Sequence, residues 1–219
     1  MHGLYDFVVG PLAWLAGLTF VLGSIYRLVS MYRLSKTKDP FVIEYMNLKF
    51  GLRSILHWST PFVPVNSRRH PAVTAVAFVF HACLLATPVF LSAHVLMLEY
   101  FHDLEYFTLP DHVADVMTVL VILGAVFYGI RRAVRPEVRY VSGMGDWVAL
   151  VLAGLPFLTG FLAFHQIGDY QVMIILHILS GEAMLAAIPF TRLSHMIFAP
   201  FTRAYIGSEF GAVRHAKDW

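Results

Sequence analysis

Apolar residues fall into five long blocks set apart by polar stretches, approximately Tyr5–Leu28, Pro71–Leu98, Val113–Ile130, Trp147–Phe164 and Val172–Ile188, the last running on toward Ala199. None of them carries Lys or Arg in its middle. A helix needs roughly 20 apolar residues to cross a bilayer. The pattern therefore predicts an all-α membrane protein, a five-transmembrane-helix bundle. Its spans cover about 5–28, 71–98, 113–130, 147–164 and 172–199 of a single domain over residues 1–219. Met1 to Asp6 has an acid, no basic residue and no small-residue cleavage motif, so the first block is expected to stay as an anchor.

The polar stretches fix a side. Eight basic residues lie between Arg27 and Arg69, four in the third connection (Arg131, Arg132, Arg135, Arg139) and four at the C-terminal end (Arg192, Arg203, Arg214, Lys217). These are all sixteen in the chain. The other side carries Asp6, Glu99, Asp103, Glu105, Asp111, Asp115 and Asp169. Short basic loops stay in the cytoplasm. The N-terminus is thus expected outside, with residues 29–70 as a cytoplasmic loop and 200–219 as a cytoplasmic tail. The long loop includes FVIEYMNLKFGLRSILHWSTPF. It reads as an amphipathic interfacial helix that could serve as a docking platform for a cytoplasmic subunit, or equally as a solvated basic loop.

Composition narrows the class further. The chain is 58% hydrophobic and 14% charged, with mean hydropathy +0.66, whereas a soluble domain carries about 25% charged residues. Soluble globule, disordered chain, collagen and coiled coil are excluded, and a net charge of +2 is too small for nucleic-acid binding. Cys83 is the one cysteine. Disulfides, CxxC zinc sites, CxxCH haem attachment and cysteine-held iron–sulfur clusters within this chain are ruled out with it.

Ionisable groups inside a bilayer are costly and usually face the bundle interior. Four of the eleven histidines qualify: His81 and His94 on the second span, His177 and His195 on the fifth helix and its inner extension. Sidedness sorts them into an inner pair, His81 with His195, and an outer pair, His94 with His177. Paired imidazoles at two depths are what two b-type haems require. Eighteen residues at about 100° each bring His177 and His195 to one helical face. The thirteen between His81 and His94 leave them about 140° apart, with Pro88 as a kink between, so one haem remains the alternative. The rises differ as well, about 20 Å against about 27 Å. Arg192 is placed to reach a haem propionate at the inner level, or to anchor the helix at the headgroups. Glu182, between the two levels, is protonated or paired, as a proton relay or a packing residue. Gly154, Gly160 and Gly181 permit close approach of a helix or macrocycle. The remaining histidines, His2, His57, His70, His102, His112 and His215, are assigned no ligand role.

The stretch HILSGEAMLAAIPFTRLSH, His177 to His195, has a Gly four residues after the first His and then Pro-Phe-Thr-Arg-Leu-x-His. With AGLTFVLGSIYR in the first span, RRAVRPEVR in the third connection and FVFH ending at His81, it resembles the gamma subunit of respiratory nitrate reductase, a five-span dihaem cytochrome b, over nearly the whole chain. The resemblance implies the same pairing: His81 with His195 and His94 with His177 as axial ligands of two haems b. Two features depart from that subunit. The gap between His81 and His94 is longer, and no lysine follows the outer ligand, so its quinol-site residues do not transfer. FLAFHQIGDY and FTRAYIGSEFG look more like a branch from sulfate-reducing bacteria, whose complexes carry a heterodisulfide-reductase-like iron–sulfur subunit and often a multihaem cytochrome c. That resemblance implies a bacterial cytoplasmic-membrane location and those two partners.

The expected function is a membrane electron conduit, a subunit of a quinol:acceptor oxidoreductase complex that is not catalytic alone. Menaquinone, or a periplasmic cytochrome c, would exchange electrons at the outer level. A quinone site is expected among His165, Glu99 and Asp169, with His94, Tyr100 and Tyr170 nearby. The alternative is a non-haem anchor or proton-relay subunit.

Overall fold

The computed structural model describes residues 2–218, without the His2 side chain; Met1 and Trp219, the ends of the single-domain reading, lie outside the described residues. The chain runs through α1 (Gly3–Lys38), α2 (Leu48–Ser59), α3 (Pro71–Phe90), α4 (Ser92–His102), α5 (Asp111–Val134), α6 (Met144–Phe164), α7 (Tyr170–Ala187) and α8 (His195–Ser208). Single helical turns occupy Val65–Arg69 and Pro136–Val141. Among the described residues there is no strand, only an isolated bridge between Leu91 and Leu109.

Five helices are long and apolar enough to cross a membrane: Gly3–Lys38, Pro71–Phe90, Asp111–Val134, Met144–Phe164 and Tyr170–Phe190. The chain is a multi-pass membrane protein by that measure. At most 33% of the residues in any of these apolar windows are buried inside the protein. Apolar surface on that scale does not stand in water, while a helix in lipid satisfies its own backbone and leaves its side chains to the acyl chains.

Two expectations about continuity are corrected. The second span does not run on to Leu98. It ends at Phe90, Leu91 turns extended (φ −68°, ψ 128°), and α4 starts afresh, so His81 and His94 stand on different helices. The fifth does not carry His177 and His195 on one face either. After Ala187 come two tight turns, Ile188–Phe190 and Arg192–Ser194, separated by an extended Thr191 (φ −117°, ψ −172°). Pro189 has no N–H to continue the ladder, and the five-turn phase relation is lost. The first span, in contrast, is longer than expected: α1 continues ten residues past Leu28, with Lys36 and Lys38 in its last turn.

Contacts divide the chain into two compact units, one comprising residues up to Ala13 with Val76–Met184, the other Trp14–Ala75 with Leu185 onward. Each draws on both halves of the sequence.

The first unit centres on Phe80, Cys83, Val121 and Phe157, with Leu84, Met117, Ile122, Ala125 and Tyr128 around them. Glycine is required at Gly124, because a Cβ there would lie 2.6 Å from the Phe80 ring. Cys83 is one of the small apolar residues of this core. The start of α6 is held by Asp146, which accepts the Gly143 N–H at 2.9 Å and pairs with Arg132 at 3.3 Å. Near the start of α1 the helix widens over Val8–Leu12, which accommodates Pro11 and its missing donor.

In the second unit α2 lies against α8 along small residues. Gly51 and Ser54 face Ala204 and Gly207; a Cβ on Gly51 would touch Ala204 Cβ at 3.2 Å. The Ser208 hydroxyl accepts the Asn47 N–H at 3.0 Å and donates to the Ala204 carbonyl at 2.7 Å. Asn47 in turn caps α2, its Oδ1 accepting from the Phe50 N–H at 3.3 Å. The turn after α7 seats on α1, with Pro189 and Phe190 both 2.8 Å from where a Gly23 Cβ would be. Residues 29–70 are therefore not a plain solvated loop: most of the segment is helix and turn, and α2 is built into the unit.

Candidate functional site

The helix break at Leu91 explains how His94 is held. An extended residue there removes the N–H groups that would have closed the last turn of α3, leaving the carbonyls of Pro88, Val89 and Phe90 without helical partners. Each receives another donor. His94 Nδ1 lies 2.8 Å from the Pro88 oxygen, the Tyr106 hydroxyl 2.7 Å from the Val89 oxygen, and the Leu109 N–H 2.8 Å from the Phe90 oxygen. A carbonyl only accepts, so the His94 proton sits on Nδ1 and its Nε2 presents a lone pair.

His177 on α7 is fixed the same way from a different source. Its Nδ1 lies 2.8 Å from the carbonyl of Pro156 on α6. Its ring occupies space that Gly160 leaves open, since a Cβ at Gly160 would be 2.9 Å from two ring atoms. Beside it Thr159 and Ser180 join hydroxyls at 3.2 Å, and Ser180 also donates to the His177 carbonyl at 2.9 Å. The two half-buried imidazoles lie with ring centroids 5.9 Å apart and planes 18° from parallel.

A metal takes an imidazole nitrogen at about 2 Å, so an iron shared by two opposed imidazoles holds their centroids on the order of 6 Å apart. His94 and His177 fit that requirement in separation and in tautomer. Ligating histidines usually donate their other ring nitrogen to a carbonyl or carboxylate, as both do here. Among the described residues no three His, Cys, Asp or Glu side chains gather as a metal-ligand set. His94 and His177 stand as a pair.

His81, in the first unit, turns its Nδ1 to the Ala77 carbonyl at 2.7 Å; His195, in the second, turns its Nδ1 to the Arg192 carbonyl at 2.8 Å. All four histidines singled out from the sequence thus share one feature: Nδ1 is hydrogen-bonded to a backbone carbonyl. Arg192 sits one tight turn from His195.

His165 ends α6 and finds a different partner from those expected. Its Nε2 lies 2.8 Å from Asp115 Oδ1 on α5, and its ring rests against Phe161 and Phe164, at 4.3 and 5.2 Å between centroids. The carboxylate accepts from Nε2, which leaves Nδ1 with the lone pair. Asp169 instead caps α7, accepting the Val172 N–H at 3.0 Å. Glu99 is exposed near the end of α4, and the carboxylate that His165 meets is neither of these. Asp115 counted in the sequence only toward outer acidity. A spacing of four from Asp111 puts it one turn inside the α5 start, a signal that could have marked it as an intramembrane acid. Glu182, half-buried on α7, has neither carboxyl oxygen hydrogen-bonded.

No family model matches this chain. A protein of Nitratidesulfovibrio vulgaris (strain Hildenborough), which bears only the name "Protein", is 34% identical over 215 residues, covering 96% of this chain and 95% of its own.

Proposed function

We propose, for a chain that belongs to one family with that Nitratidesulfovibrio vulgaris protein, the role of a dihaem cytochrome b subunit that carries electrons across a bacterial cytoplasmic membrane. The observation that carries this reading is the His94–His177 pair, with ring centroids 5.9 Å apart and both Nδ1 atoms committed to proline carbonyls. A haem between two imidazoles supplies one-electron transfer at low-spin iron. His81 and His195 would serve a second, inner haem, and Arg192 its propionate. The positive-inside rule supports a cytoplasmic inner level, with the N-terminus outside and the C-terminus inside.

The protein's own groups would handle binding and protons. At the outer end a hydroquinone gives up two electrons and two protons. Asp115 holds the His165 ring through Nε2, so that Nδ1 can accept the two hydroxyl protons in succession, passing each to exterior water before the next O–H bond breaks. Phe161 and Phe164 offer apolar faces to a planar ring. A periplasmic cytochrome c would give electrons alone and would not need this base. Menaquinol fits better for that reason, and the quinone site keeps His165 and takes Asp115 as its carboxylate in place of Glu99 and Asp169. On the cytoplasmic side electrons pass to or from an iron–sulfur subunit, heterodisulfide-reductase-like by resemblance, because this chain holds no cysteine cluster of its own. The nitrate-reductase-gamma-like family is the parent group proposed for it.

A reduced-minus-oxidised spectrum of the purified protein tests the reading, with two haems per chain and a b-type α band expected. In His177→Ala the outer signal disappears and the inner one stays. A second reading, a non-haem proton-relay or anchor subunit, is favoured by Glu182 and its two unpartnered oxygens inside a span, and a spectrum without an α band would establish it in place of the first.

A further inference from the structure

Helix α2 shows three distinct faces. Gly51 and Ser54 form the seam with α8. Leu48, Leu52 and Leu56, spaced by four, remain 78%, 49% and 67% exposed. At about 100° per residue Leu52 stands about 130° around the helix from the middle of that seam, and Lys49, Arg53 and His57 fill the next arc. A leucine stripe that the rest of its unit leaves uncovered needs an occupant.

Two features of the segment say which. The first is reach. Lys38 ends the first span, Pro71 begins the second, and α2 is joined to them by residues 39–47 and 60–70. Nine residues extend at most about 30 Å. This linker is not extended: Val42, Tyr45 and Met46 N–H groups bond back to Asp39, Phe41 and Ile43 carbonyls. Asp39 is further held by the Tyr205 hydroxyl at 3.1 Å. Both ends of α2 are thus tied by short linkers to span termini on the basic side of the chain. The second is charge. Arg27 to Arg69 holds eight basic residues and two acids, Asp39 and Glu44, a balance that fits an anionic surface. Phe41, Ile43, Met46 and Phe62, exposed on either side of the helix, extend the apolar contact.

We propose that α2 is an interfacial helix that lies in the anionic leaflet on the basic side of the membrane. Leu48, Leu52 and Leu56 enter the acyl boundary, and Lys49 with Arg68 and Arg69 holds lipid phosphates. Such a helix combines buried apolar area with attraction to anionic headgroups, and lysine stems reach up to them. It fixes the depth of the α2–α8 seam, and does so whether or not haem is bound.

The test uses the full chain in lipid nanodiscs, on a Cys83→Ser background, with an environment-sensitive dye on Leu48→Cys, Leu52→Cys or Leu56→Cys. In phosphatidylglycerol-containing discs a shallow nitroxide lipid should quench each dye about threefold more than aqueous iodide does, as for a helix at the headgroup–acyl boundary. Replacing phosphatidylglycerol with phosphatidylcholine should raise iodide access. Three positions keep the test alive if one variant fails to insert. Iodide quenching equal to that of free dye, with none from the nitroxide lipid, would overturn the proposal and leave the stripe as a face for a protein partner. Lipid quenching that ignores headgroup charge would overturn the phosphate part.

Discussion

The two units reach order by opposite means. In the first, a backbone irregularity does it: the extended Leu91 frees three carbonyls, and His94, Tyr106 and Leu109 answer them. In the second, regular helices come together because small residues let their backbones approach, Gly51 and Ser54 against Ala204 and Gly207. Broken helices offer directional acceptors that can orient a ring for chemistry; small-residue seams offer shape and little direction. A site that has to hold an imidazole at a given angle is better served by the first, and a support that has to resist shear by the second.

The largest way to break that comparison is at the seam. A Cβ on Gly207 would press into Ser54 and stand 2.6 Å from the Phe50 carbonyl, a backbone atom that cannot rotate away. Gly207→Val is expected to cost about 3 kcal/mol and to lower the midpoint of thermal unfolding followed at Trp58, with the His94–His177 signal retained after the second unit has melted. A simultaneous loss of both would show that the units do not differ in this way. Next comes Gly160→Ala in the first unit. Its methyl would meet the His177 ring at 2.9 Å, and because a ring tied to Pro156 has little freedom, the variant should bind less haem per chain at the outer level, measured by pyridine haemochrome, while helix content stays constant.

A smaller effect is expected from Asp115→Asn. The amide can still accept from His165 but no longer stabilises a protonated ring, so the rate of outer-haem reduction by a menaquinol analogue should fall about tenfold or more, with reduction by dithionite unchanged. If both rates stay the same, the base at the outer end is not His165.

Much of this was legible in the chain, and the reasons differ by residue. Five spans follow from length and hydropathy, which depend on composition alone. Choosing His81, His94, His177 and His195 follows from the cost of an imidazole in lipid. Their helical phase did not follow, because it depends on where helices stop. Pro88 suggested a kink at itself, yet the break falls three residues later at Leu91, where Leu109 and Tyr106, fifteen or more residues on, supply the missing donors. Pro189 ends α7 more sharply than its place in an apolar run suggests. The His165–Asp115 pair was hidden for a related reason: the two residues lie 50 positions apart, and only the approach of α5 and α6 joins them. Asp169 attracted attention as an outer acid, but a residue just before a helix has local backbone work, and capping α7 accounts for it.

The smallest predicted effect sharpens the comparison by pH. The second unit closes its linker with the Tyr205 hydroxyl on Asp39, an acceptor that carries charge, whereas the acceptors at the helix break that holds His94 are carbonyls, which do not titrate. Burial pushes the Tyr205 phenol up, the hydrogen bond to Asp39 and the negative charges of Glu209 and Asp39 push it further, and Arg214 opposes. A phenol that holds its proton more tightly when folded stabilises the fold fully below the unfolded value of about 10, and that contribution is lost as pH rises through the higher folded value. Proteolysis of the 39–47 linker should therefore accelerate in the alkaline range in the wild type. In Tyr205→Phe the linker should be cut somewhat faster at neutral pH, for want of the hydrogen bond, but show little further acceleration above about 10, since the titrating group is gone. Equal alkaline acceleration in both proteins would place the sensitive group elsewhere in the second unit and remove the contrast in how the two units respond to pH.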